Sequence, residues 1–168
     1  MKCKLSSYGL ITLFLFSCQN QSKSNFSFNS ESPSENMEET VNTYWGCWNT
    51  NKSESLKCIL ADDFKRFANG KLEASNQEEL IALVDNWHTT IPDFKTDLQN
   101  LVIHDNQAFY RWVSTGTFIG RTGVGRSTSI YGFAILTFDD EGKISKHESY
   151  YDSMSLFRSQ GNGKTPSP

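Results

Sequence analysis

Ala108-Phe109-Tyr110-Arg111-Trp112-Val113-Ser114-Thr115-Gly116-Thr117-Phe118 is the stretch on which the fold turns. Its residues alternate in character with period two, as a strand's do, so Tyr110, Trp112, Ser114 and Phe118 share one face and Phe109, Arg111 and Val113 the other. Alternation alone does not say which face is concave.

Similar runs lie on both sides of it. Leu98 to His104, Ser127 to Phe138 and Lys143 to Tyr151 also read as strands, and the breaks between the four fall at Asp105-Asn106, in the Gly120 to Gly125 loop, and at Asp139-Asp140-Glu141-Gly142. Upstream of Pro92 the period is helical. Met37, Val41, Tyr44 and Trp48 mark an amphipathic helix from Glu35 to about Thr50, and Leu56, Ile59 and Leu60 a shorter one over Ser53 to Asp62. Phe64 to Ala68 then reads as a strand that turns at Asn69-Gly70, a strong two-residue hairpin signal. Ser75-Asn76-Gln77-Glu78 fits a capping box for a third helix, with Leu80, Leu83, Val84, Trp87 and Ile91 on its apolar face, ending at Pro92. Helices first and a mainly antiparallel meander afterwards predict an α+β fold. A long sheet covered on one side by helices curls, and its concave face forms a cone-shaped pocket.

The order of motifs carries a resemblance. Leu60-Ala61-Asp62-Asp63-Phe64, Pro92-Asp93, Phe109-Tyr110-Arg111-Trp112, Gly116-Thr117-Phe118-Ile119-Gly120, Gly142-Lys143-Ile144 and Tyr151-Asp152 with Gln160-Gly161 together resemble the SnoaL-like polyketide cyclase family of the nuclear transport factor 2-like superfamily. The resemblance covers about Glu35 to Gly161. It implies a cone-shaped α+β domain over residues 37–161, a homodimer, and an aldol-type cyclisation or isomerisation run without a metal or organic cofactor. Its general acid/base falls by motif on Asp152. Two departures stand out: the family's histidine two residues earlier is Tyr150 here, and the histidine of its Gly-Thr-His-x-Gly pattern is Phe118.

The residues around Asp152 leave two readings open. An aspartate walled by Tyr150, Tyr151 and other aromatics would be desolvated and so raised toward a pKa useful for proton transfer. Asp immediately before Ser153-Met154-Ser155-Leu156-Phe157 is also a good helix N-cap. Glu148, four residues back on the same strand face, lies about 13 Å away at strand rise, too far for a glycosidase pair. The expected pocket is aromatic, built from Tyr44, Trp48, Trp87, Tyr110, Trp112 and Phe118, with Asp152 and Tyr150 as the catalytic candidates and Trp112 helping to orient a small apolar molecule.

Other chemistries have little foothold. His88, His104 and His147 fall on three elements without ligand spacing, so no metal site is expected. No Gly-x-Ser-x-Gly elbow is present. Gly120 to Thr128 joins two strands and opens no helix, so it reads as a hairpin loop, with Arg121 and Arg126 as solvated charges. Asp93 after Pro92 reads as turn chemistry. Cys47 and Cys58 lie near facing ends of the first two helices; two buried thiols are preferred there over a disulfide.

The N-terminus sets the expected compartment. Lys2 and Lys4 precede an apolar run from Leu10 to Phe16, shorter than a membrane span, and Leu15-Phe16-Ser17-Cys18 resembles a bacterial lipobox. Residues 1–17 are therefore expected to be a lipoprotein signal peptide and Cys18 the lipidated residue, with two or more acyl chains, palmitate among them, holding the protein at the cell envelope. Loss of the leader and its two lysines takes the net charge from −3 to −5, which gives no electrostatic case for nucleic acid. Gln19 to Asn36, rich in Ser, Asn, Gln and Glu, reads as a flexible tether of roughly 24 Å r.m.s. span, and residues 162–168 as a loose tail. A small apolar molecule is the expected ligand and the membrane is reached through the lipid anchor. The alternative is a non-catalytic lipoprotein that only binds a ligand or another protein.

Overall fold

The computed structural model describes residues 33–119 and 125–154. The elements run α1 (Pro33–Asn49), a 3-10 helix (Ser53–Cys58), β1 (Leu60–Ala68), β2 (Lys71–Ala74), α2 (Gln77–Thr90), β3 (Lys95–His104), β4 (Gln107–Ile119), β5 (Gly125–Phe138) and β6 (Ile144–Tyr151). The expected signal peptide, Cys18, most of the expected tether, residues 120–124 of the expected hairpin loop with Arg121, and the expected loose tail lie outside the described residues.

The strands make one six-stranded sheet in the order β2-β1-β6-β5-β4-β3. β1 with β2, β3 with β4, β4 with β5 and β5 with β6 pair antiparallel, whereas β1 and β6 run parallel and bring the two ends of the domain together. This is the α+β fold expected, a curled and unclosed sheet with helices packed on it. Irregular register between Arg66 and Phe67 in β1 and between Gln99 and Val102 in β3 adds local twist and bends those strands. At the second break Asn100 takes a positive φ of 52°.

Burial settles which face is concave. Tyr110, Trp112 and Ser114 of β4 are buried beneath the helices with Ile130 and Ala134 of β5 and His147 and Ser149 of β6. Arg111, Tyr131, Phe133 and Tyr150 point to the opposite, outer side. Leu80 and Val84 of α2 and Val41 and Tyr44 of α1 are wholly buried, each apolar side chain contributing on the order of 2 kcal/mol on leaving water.

Several local expectations shift. Ser53 to Asp62 is not one helix: a single 3-10 helix ends at Cys58 and Leu60 already pairs with Ile144 of β6. The Gln77 side-chain amide donates to the carbonyls of Leu60 and Ala61, at 3.1 and 3.0 Å, which holds the start of β1 extended. The capping box sits one residue later than read: Asn76 is the N-cap, its Oδ1 accepting from Glu79 N–H at 2.9 Å, and Glu79 reaches back to Ser75 N–H and Oγ–H. The Asn69-Gly70 turn is as expected, with φ of 49° and 78°. Asn69 does more than turn the chain, since its Oδ1 accepts from Tyr151 N–H at 3.0 Å and its N–H donates to Ser149 O at 2.8 Å, fixing the end of β6. Cys47 is a buried free thiol, so no Cys47–Cys58 bridge forms, but Cys58 is exposed at the end of the 3-10 helix and is not the second buried thiol expected.

Candidate functional site

Beneath the helices lies a cavity whose wall includes all four tryptophans of the chain. Trp45 and Trp48 come from α1, Trp87 from α2 and Trp112 from β4, joined by Arg66, Phe94, Ser114, Ile130, Ser149 and Tyr151. The cavity is narrow, about 30 Å³, enough for one or two waters. A larger ligand must part the rings. Trp87, its ring 5.7 Å from that of Phe94 between centroids, and Tyr151 are only half-buried, unlike the other rings of the wall.

The helices are held over the sheet by polar contacts at their ends. Asn49 closes α1 onto β3 with two hydrogen bonds to the Thr96 backbone, at 2.7 and 2.8 Å, and Thr96 Oγ1 meets Ser114 Oγ at 2.5 Å. His88 Nε2 lies 2.6 Å from Trp48 O, tying α2 to α1. The aromatic rings then pack edge to face: Trp45 stands at 86° to both Tyr44 and Tyr110, with centroids 5.4 and 6.0 Å away.

A polar seam runs through this apolar core. Tyr44 Oη and His147 Nδ1 are 2.8 Å apart, both residues fully buried. Arg66, 7% exposed, lies with its guanidinium 5.5 Å from the Trp48 ring and forms an ion pair with Glu73 of β2. Burial lifts the Tyr44 phenol to about 12, against the pull of Arg66, and lifts Tyr110 well above its ordinary range. Burial also holds His147 well below the usual imidazole range, with the Arg66 charge adding to the effect. Both phenols and the imidazole are thus neutral at pH 7.

The wall also carries donors without acceptors. Among the described residues, Trp112 Nε1, Arg66 Nε and Ser149 Oγ are buried and make no hydrogen bond. The Trp45 and Trp48 indole N–H groups lie beside the hydroxyls of Tyr110 and Tyr44 without closing hydrogen bonds on them. No three His, Cys, Asp or Glu side chains among the described residues converge as metal ligands.

Of the expected pocket residues, Trp48, Trp87 and Trp112 line the cavity. Tyr44 and Tyr110 stand behind it in the core, and Phe118 packs against the core further along β4. Tyr150 is turned away. His147, Ser149 and Tyr151 take the inner positions of β6, so Tyr150 pairs with Phe133 on the outer face and is 43% exposed. Its expected place beside a substrate is corrected accordingly. Asp152 is exposed at the end of β6, and its Oδ1 accepts from Met154 N–H at 2.9 Å, the capping geometry. The rest of the helix expected after it lies outside the described residues. The sequence reading missed Trp45, Arg66, Phe94, Ile130 and Ser149, and named Tyr151 only as a neighbour of Asp152. Period two from buried Phe64 would have put Arg66 inward, and a three-residue step back from Trp48 would have added Trp45 to its helix face.

The model of the SnoaL-like polyketide cyclase family matches residues 38–160. No curated protein sequence matches the chain significantly. Among solved structures, a polyketide cyclase from Bacillus cereus, described as putative, is 20% identical with a TM-score of 0.66, covering 76% of this chain and 81% of its own. AclR from Streptomyces galilaeus, a putative hydroxylase, is 17% identical with a TM-score of 0.67 over 79% and 99% of the two chains. An LEH-like epoxide hydrolase from M. tuberculosis is 12% identical with a TM-score of 0.62 over 76% and 91%. At such identities the likeness is one of fold, and the activities named for the three proteins differ from one another.

Proposed function

The chain belongs to the SnoaL-like polyketide cyclase family, and on that premise we propose that it is an envelope lipoprotein whose folded domain binds a small, largely apolar molecule between its four tryptophans. The observation that carries the reading is the wall itself: indole rings from α1, α2 and β4 converge on one slit, with buried donors left unpaired around it. A purely structural core would bury those N–H groups at a cost of about 1–3 kcal/mol each and gain nothing for it. A ligand that accepts hydrogen bonds repays that cost. The domain is tethered through acylated Cys18, which places the slit at the membrane surface within reach of soluble molecules.

Cofactor-free proton transfer by Asp152 is the second reading. What favours it is position: Asp152 directly follows Tyr151, whose ring meets that of Trp112 at 5.8 Å on the cavity wall. To act, its carboxylate would have to leave the cap it makes on Met154 N–H. Binding without turnover requires no such movement and is preferred. A homodimer is part of the proposal. Tyr131, Phe133 and Tyr150 leave an aromatic row on the outer face of the sheet, 68%, 39% and 43% exposed, a patch that a second copy would cover.

Calorimetric titration of the full chain with acetophenone, a small neutral aromatic ketone, tests the binding reading. Saturable binding is expected, weakened at least tenfold by Trp112→Ala and changed less than twofold by Asp152→Asn. A wild-type chain that takes up no aromatic probe overturns it.

A further inference from the structure

The charge inside the cavity narrows the ligand class, taking the cavity reading above as given. Arg66 is the one charged side chain on the described wall, and no described wall residue is a carboxylate. Its guanidinium is buried beside the Tyr44 hydroxyl and the Trp48 ring, and its Nε has no hydrogen-bond partner. Glu73 engages the guanidinium, but the Glu73 side chain is 28% exposed, so water screens its charge. The Arg66 charge, inside, is screened far less. The Arg66 charge reaches the buried Tyr44, Tyr110 and His147, opposing the rise that burial gives the two phenols and adding to the fall that burial gives the imidazole.

Around this cation stand groups that mainly donate. Indole N–H is a donor only, guanidinium has no acceptor, and the Ser149 hydroxyl is free to donate. The Ser114 hydroxyl is already engaged with Thr96. We propose that the cavity recognises the carboxylate of a small aromatic or otherwise flat apolar acid, with Arg66 Nε–H, Trp112 Nε1–H and Ser149 Oγ–H directed at the anionic oxygens and the indoles enclosing the hydrocarbon. Charge-assisted hydrogen bonds of this kind are about twice as strong as neutral ones, and a desolvated guanidinium prefers an anion to a ketone for that reason. The apolar body supplies burial and the carboxylate supplies orientation.

The test compares benzoate with acetophenone, which differ by an anionic oxygen in place of a methyl group, by calorimetry on the full chain at pH 7. Benzoate is expected to bind at least tenfold more tightly. Arg66→Gln should bring the two affinities within threefold of each other by weakening benzoate alone. Glu73→Gln, which removes the competing anion, should tighten benzoate and leave acetophenone unchanged. If Arg66→Gln does not fold, the wild-type comparison and Glu73→Gln decide. Acetophenone binding as tightly as benzoate, or Glu73→Gln shifting both probes equally, overturns this inference while the aromatic binding site stands. Failure of both probes to bind overturns the binding site itself.

Discussion

The indole of Trp112 on β4 occupies the space directly over Gly132 on β5, so that a methyl group at 132 would overlap the ring. Glycine inside a strand weakens it, and here the close approach of the ring is the compensating reason. Gly132→Ala should push Trp112 off its position, cost about 1–3 kcal/mol in chemical unfolding, and weaken acetophenone binding. Near-ultraviolet circular dichroism would register the displaced indole. A variant with unchanged stability and spectrum would show that the ring is not seated there.

Tyr44 and His147 make the stability depend on pH. His147 is held neutral in the folded chain with its pKa well below the ordinary 6.5, so below that value the unfolded chain binds a proton that the folded chain does not. The contribution is fully present above about pH 6.5 and declines as pH falls toward the folded pKa, by up to about 1.4 kcal/mol per pH unit. Urea unfolding between pH 5 and 8 should show this slope, and His147→Gln should flatten it. Tyr44→Phe removes the partner of Nδ1 and should cost about 1–3 kcal/mol at pH 7.

Asp93 binds Thr117 through both oxygens, from the backbone N–H at 2.5 Å and the hydroxyl at 2.8 Å, joining the end of α2 to β4. The Thr117 N–H bond, with the hydroxyl adding to it, lowers the Asp93 pKa. Its stabilising effect is therefore present above the ordinary carboxylate pKa and lost as pH falls through the folded value. Asp93→Ala should lower Tm at pH 7, and the difference from wild type should shrink below about pH 4. A Tm difference that persists undiminished at pH 3 would contradict this.

Much of this molecule is legible in the sequence because the signals are local. Strand β4 announces itself by alternation, and Asn69-Gly70 by its turn chemistry. Ser53 to Asp62 reads as a helix because Leu56, Ile59 and Leu60 satisfy a helical spacing, while what keeps Leu60 extended is remote: Ile144 beside it and the Gln77 amide on its carbonyl. The parallel pairing of β1 with β6 joins segments about 80 residues apart and leaves no local mark. The same holds for Arg66, whose role depends on Trp48 and Glu73, and for Ser149, which no motif singles out. Tyr150 fell on the wrong face because its neighbour Tyr151 is equally aromatic, and only the burial of His147 and Ser149 fixes the alternation.

The outer face carries a prediction about assembly. Tyr131→Lys combined with Tyr150→Lys should convert a dimer to a monomer in sedimentation equilibrium while the unfolding midpoint at high dilution changes little. A wild-type chain that sediments as a monomer at all concentrations would remove the aromatic row from any role between copies.

Acylation is tested at one atom. Cys18→Ser should abolish incorporation of a labelled palmitate analogue in bacterial expression and move the protein from the detergent phase to the aqueous phase on phase separation. Label retained in that variant would place the anchor elsewhere.

The measurement that bears on the whole reading is the set of indole N–H signals of the full chain in a nitrogen-15 NMR spectrum, one for each of the four tryptophans, assigned by Trp→Phe variants. Addition of acetophenone should shift the Trp112 signal and at least one of the Trp45 and Trp48 signals along a single saturable curve, since these N–H groups lie buried and without hydrogen bonds at the cavity. Four signals that stay in place at the solubility limit of acetophenone and of benzoate alike, or that move only in proportion to concentration with both, would mean the tryptophans are packing alone and that neither probe binds there.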